Sequence, residues 1–175
     1  MTINELQRML IKEIERLTED MDLMDQEGKR AALKGYPQAL PVIPVFSAMP
    51  LAAPPEFDET YMDAGAEKDP FPYFIVRADT AEYQVEDKEI GECNRTRVLI
   101  PFAVYDEDPA LRGYFTLTAI MERVVKRFQS ETALGPFFCS KKMNLAYQED
   151  DTFPRFFGAL EMLWYLPGIE MEDFE

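Results

Sequence analysis

Acid–base and nucleophilic chemistry need particular side chains, and the 175 residues of this chain contain no histidine. Histidine is the commonest general base near neutral pH and the commonest metal ligand, so a hydrolase triad of the usual kind is excluded. No G-x-S-x-G elbow occurs, and the eight glycines stand singly, so neither common phosphate-cradling loop is present. Cys93 and Cys139 fit no metal spacing and no secreted disulfide framework. Both read as small apolar residues of a reduced chain, and without a histidine nothing activates the Cys139 thiol. Carboxylates are the remaining chemical resource, in the runs Asp106-Glu107-Asp108 and Glu149-Asp150-Asp151. Neither run alternates its ligands around a central glycine as a calcium loop does. A helix start and a hairpin tip account for them. The expectation is a protein that is not an enzyme, with no catalytic, cofactor-binding or metal-ligating residue and no cofactor.

The acids have a second use. Against 18 Lys and Arg stand 33 Asp and Glu, a formal net charge of −15. Such a field repels phosphate, which argues against specific nucleic-acid binding and against an anionic membrane surface. From Glu56 to Glu92 there are twelve acids against Lys68, Arg77 and Lys88. They serve as a solubilising loop region, or as an acidic surface lining a channel or imitating DNA. No stretch approaches the length of a membrane span, and residues 1–20 are too charged for a signal peptide, so a soluble protein made in the cytoplasm is expected.

The elements that carry these residues follow from periodicity. Thr2-Ile3-Asn4-Glu5 reads as a capping box, and behind it Leu6, Leu10, Ile14, Leu17 and Met21 form one helical stripe running to about Met21. From Gly35 to Pro70 seven prolines break any helix, leaving a loop or arm with at most a short edge strand at Val42–Phe46. This segment is unusual for a loop in carrying Tyr36, Phe46, Met49, Phe57 and Tyr61. An arm laid over a neighbouring subunit or packed back on its own domain would explain them.

Phe71–Arg77 reads as a strand, 78–92 as an acidic loop able to form a hairpin tip, and Arg95–Asp106 as a long strand whose edge should be unpaired or bulged at Pro101. Asp108 suits an N-cap and Pro109 the first position of a helix whose stripe is Tyr114, Leu117, Met121, Val124 and Phe128. Gly135–Tyr147 alternates, with Lys141 interrupting the apolar face, and 148–152 is a tip. The return strand Phe153–Leu166 places Phe156, Leu160, Met162 and Trp164 on one face and Phe157, Ala159, Leu163 and Tyr165 on the other. The expected class is therefore α+β: one domain over residues 1–175, a mostly antiparallel sheet, an N-terminal helix, a second helix at about 109–128, and the proline-rich arm. A strand apolar on both faces needs cover on both. Two helices, one per face, would supply it, or a neighbouring subunit would replace one of them.

FPYFIVR at Phe71–Arg77, RVLIPFAVYDEDPALRGY at Arg97–Tyr114, MERVVKRF at Met121–Phe128 and FPRFFGALEMLWYLPGIE at Phe153–Glu170 follow one another behind a leading helix. This arrangement resembles the tail terminator, or tail-completion, minor tail proteins of long-tailed phages and their prophages. The resemblance implies a mixed sheet flanked by helices and a virion protein assembled in the bacterial host cytoplasm. It implies a homo-oligomeric ring, commonly a hexamer, that caps the tail tube and meets tail-tube and head-completion proteins. In such a ring an acidic lumen keeps passing DNA from sticking. The candidate lumen acids are Asp79, Glu82, Glu86, Asp87 and Glu89 in one loop and Glu149, Asp150 and Asp151 at the hairpin tip. The candidate assembly residues are Tyr36, Phe46, Phe57 and Tyr61 in the arm, with Phe157 and Tyr165 on the return strand. Rival readings are a head–tail connector or other minor tail component and, in another class, an acidic DNA-mimic inhibitor.

Overall fold

The computed structural model describes residues 2–41 and 70–168. Helix α1 (Ile3–Thr18) opens with the expected capping box: the Thr2 amide donates to Glu5 Oε2 at 2.7 Å, and the Glu5 amide to Thr2 Oγ1 at 3.4 Å. Two otherwise orphaned donors are thereby satisfied. The helix stops before Met21, where the Thr18 hydroxyl turns back onto the Ile14 carbonyl at 3.0 Å. Leu6, Leu10 and Ile14 are fully buried, each contributing about 1.5–3 kcal/mol relative to exposure.

Strands β1 (Lys34–Pro37), β2 (Tyr73–Asp87) and β3 (Gly91–Tyr105) precede helix α2 (Arg112–Ser130), which leads to β4 (Ala133–Leu134), β5 (Phe137–Tyr147) and β6 (Arg155–Leu166). They form one sheet in the order β1-β2-β3-β6-β5-β4. Only β1 runs parallel to its neighbour, β2. The class is α+β with a mostly antiparallel sheet, as the periodicity predicts.

Several expectations need correction. The supposed loop 78–92 is mostly strand, because β2 continues to Asp87 and β3 starts at Gly91. Cross-strand partners hold this ribbon: Arg95 to Glu82 at 2.7 Å, the Thr96 hydroxyl to the Thr80 carbonyl at 2.7 Å, and the Gln84 amide to Asn94 Oδ1 at 2.9 Å. Two register shifts in β2 disguise its alternation. Helix α2 begins later than Pro109. Asp106 and Asp108 accept the amides of Asp108 and Ala110, each at 2.8 Å, so both carboxylates close turns instead of capping the helix. Leu111, at φ 57°, then stands at the N-cap with no side-chain hydrogen bond.

Gly35 and Tyr36, assigned to the arm, lie in β1. The strand expected at Val42–Phe46 lies outside the described residues. Pro101 sits in a central strand without a bulge. Its missing N–H shows in the ladder to β2, which lacks Ile75–Pro101 and Val76–Ile100 but keeps its register. In β5, a register shift between Cys139 and Met143 absorbs Lys141 and returns Met143 to the core side.

One contiguous core joins both helices to one sheet face. It runs from Leu6, Leu10 and Ile14 through Leu117, Val124 and Phe128 to Phe74, Ile100, Leu160 and Trp164. The helices also touch each other: Arg127 Nε meets Glu13 Oε1 at 2.6 Å, and Arg123 reaches the Leu17 carbonyl at 3.0 Å. The arrangement with one helix on each face is therefore not the one adopted.

Candidate assembly surface

The face opposite the helices follows from the register. Side chains paired across neighbouring strands point the same way. One row is Tyr73, Ala103 and Phe157; a second is Pro101, Ala159 and Ala146; a third is Arg77, Leu99, Glu161 and Asn144. Beyond them come Arg97 with Leu163, and then Glu82, Arg95, Tyr165 and Phe138. The first rows are apolar and the last are rich in cations.

At the apolar end Phe71 is buried among rings, its centroid 5.3 Å from Tyr73, 6.1 Å from Tyr105 and 5.9 Å from Phe157. Leu99, Pro101, Phe157, Ala159 and Leu163 are half-buried, shaded by one another but under no described helix. At the other end Phe138 stacks on Tyr165 with centroids 5.0 Å apart, which leaves Tyr165 only 4% exposed. Burial pushes the Tyr165 phenol up in pKa, and neighbouring Asp87 adds to the shift. The amide of Glu89 and Arg95 both donate to Asp87 at 2.9 Å. The Glu89 amide first, against the opposing effect of burial, and then Arg95 hold this carboxyl below its ordinary range.

The sheet also has open edges. β1 covers β2 only from Tyr73 to Val76, and Gln38 extends that cover to Ala78: its side-chain amide meets the Ala78 N–H and carbonyl, both at 3.1 Å. From Asp79 to Asp87 no described strand lies outside β2. On the opposite edge β4 covers only Phe137 and Phe138, leaving Ser140–Tyr147 open in the same sense. Tyr83 is 54% exposed on one edge, and Leu145 and Tyr147 are 39% and 43% exposed on the other.

The expected site residues distribute unevenly over this surface. Tyr36 is half-buried in β1 beneath Lys34, whose ammonium lies 5.5 Å from the ring centroid. Phe46, Phe57 and Tyr61 lie outside the described residues. Phe157 is on the face opposite the helices, and Tyr165 shares that face but is sealed by Phe138. The two acidic groups do not share a rim. Asp79, Glu82, Glu86 and Asp87 are strand residues leading to the β2–β3 turn with Glu89, whereas Glu149–Asp151 join β5 to β6 at the other end of the sheet. Glu82 and Asp87 are held by Arg95, while Asp79 and Glu86 are exposed and make no ion pair among the described residues.

The sequence reading missed the cations Arg77, Arg97 and Lys142 on the same face, which make no ion pair among the described residues. Strand alternation contained the signal for Arg77 and Arg97, whereas for Lys142 the register shift between Cys139 and Met143 masked it. As for nucleophiles, Cys139 is 3% exposed, and burial raises its thiol to about 11. It stays protonated at neutral pH and lies on the core side. No protein-family model matches the chain, and no curated protein matches it.

Proposed function

We propose that this chain is a structural subunit of a phage tail, a tail terminator that closes into a homo-oligomeric ring on the end of the tail tube and joins it to the head. The observation that carries the reading is the one-sided cover of the sheet. Both helices occupy one face, and the other presents Leu99, Pro101, Phe157, Ala159 and Leu163 between two strand edges that no described strand covers. A strand with two apolar faces calls for a second covering layer, and a neighbouring subunit provides one.

The charge supports the same reading. Exposed carboxylates at both ends of the sheet, around Glu86 and Glu89 and around Glu149–Asp151, would lie at the two mouths of a ring whose strands run from one mouth to the other. There they repel the phosphate backbone of DNA in transit. The segments that resemble tail terminators form β2, β3, α2 and β6, the central part of the sheet and the helix behind it.

The test is electron microscopy of tails assembled with and without the protein. The reading expects tubes of irregular length and failed head attachment in its absence. Unchanged tube length together with unchanged head attachment rejects it.

A further inference from the structure

The two edges left open among the described residues differ in charge, and the difference is complementary. From Asp79 to Asp87 the β2 edge carries Asp79, Glu82, Glu86 and Asp87 and no base. From Ser140 to Tyr147 the β5 edge carries Lys141 and Lys142 and no acid. Among the described residues neither lysine makes an ion pair, and neither do Asp79 and Glu86. We infer that the β2 edge of one copy pairs with the β5 edge of the next, so that the sheet continues from subunit to subunit. The inference rests on the self-assembly part of the function proposed above and adds to the covered face a second contact, through the strand edges.

Direction and charge both favour this join. β2 and β6 point one way, β3 and β5 the other. A rotation that carries one copy to the next therefore sets β5 antiparallel to the neighbouring β2, the more stable ladder. The contact is heterologous, and heterologous contacts close into rings when the rotation permits. Lysines and bulges on an exposed edge discourage indiscriminate pairing, so a partner must offset the lysine charge. Here β5 repels another β5 and β2 repels another β2, which leaves the mixed pair as the one that attracts.

The free stretches are offset along the strands. Glu82 and Phe138 lie in one cross-strand row, so the open part of β2 starts near the height at which that of β5 ends. The join is staggered, and a staggered closed sheet has tilted strands.

The experiment uses the full chain and two variants altered only at exposed positions. K141E/K142E has two acidic edges; D79K/E86K has two edges free of unpaired acid and richer in base. Far-UV circular dichroism and Trp164 fluorescence establish that each variant folds like the parent. The expected result is a parent whose solution mass rises above 20.3 kDa with concentration, two variants that each stay monomeric, and recovery of association when they are mixed. Amide hydrogen exchange should slow at 79–87 and 140–147 on association, because strand pairing protects backbone N–H groups that face docking leaves exposed. A parent that remains monomeric at every concentration overturns the inference. So does assembly that persists in K141E/K142E, or that forms without new protection on the two edges; these outcomes leave the ring itself standing. Paired edges combined with normal tails in the protein's absence overturn the terminator reading alone.

Discussion

Glu13 is the residue at which the two helices are tied by charge. Arg127 Nε approaches it at 2.6 Å and Arg16 Nη2 at 2.9 Å, with the Glu13 side chain only 13% exposed. The Arg16 hydrogen bond, opposed by burial and reinforced by Arg127, holds the carboxyl below its ordinary value. A carboxyl depressed in the folded state adds stability above its unfolded pKa of about 4.3 and loses it as pH falls through the folded value. Glu13→Gln keeps the shape and removes the charge. It should lower stability by about 1–2 kcal/mol near neutral pH. Each kcal/mol corresponds to about 2–4 °C in melting temperature for a domain of this size. Melting curves of the variant and the parent should draw together as pH falls from the unfolded value through the lower folded one, where the carboxyl becomes as neutral as the glutamine. A gap of constant size down to pH 2 would mean that the loss is one of packing and not of charge.

At the scale of the element, α2 shows how a local rule can be outbid. Asp108-Pro109 has the form of a helix start, yet the chain turns twice more before Arg112, and Gly113 is buried in the first turn. The reason lies across the core: a Cβ on Gly113 would sit inside the ring of Phe156, itself packed edge-on against Tyr114 at 4.7 Å. In a helix interior Gly→Ala ordinarily stabilises by about 1 kcal/mol. At Gly113 the sign should reverse, with a loss of about 1–3 kcal/mol from overpacking, read by chemical denaturation. The two helical stripes and the core side of β6 were legible in the sequence, because three or four apolar residues at one period leave little choice. The β2–β3 ribbon was not, since its two register shifts break the period of two and its acids look like loop residues. The choice of helix face was also illegible. Periodicity states that Phe156 and Phe157 point opposite ways, but it does not say which face α1 and α2 will share.

At the scale of the molecule, that shared face makes a claim about cooperativity. The buried side chains of α1, α2 and the sheet form one connected cluster, with Trp164 fully buried against Phe128 at 5.2 Å between ring centroids. Trp164 is the sole tryptophan, so its emission reports the contact between α2 and the sheet. Far-UV circular dichroism reports the backbone of every element. If helices and sheet unfold together, the two signals superimpose on one transition in denaturant, as expected of a domain with a single core. Trp164 emission that shifts to the exposed wavelength at lower denaturant, while the sheet signal persists, would show that the helical layer peels away as a separate unit. The sheet would then hold itself together without the helices, and the uncovered face could not be taken as the side that needs a neighbour. Coincident transitions, in contrast, mean that the helical layer is integral to the fold, which leaves the opposite side, under no described helix, as the one the proposed assembly would use.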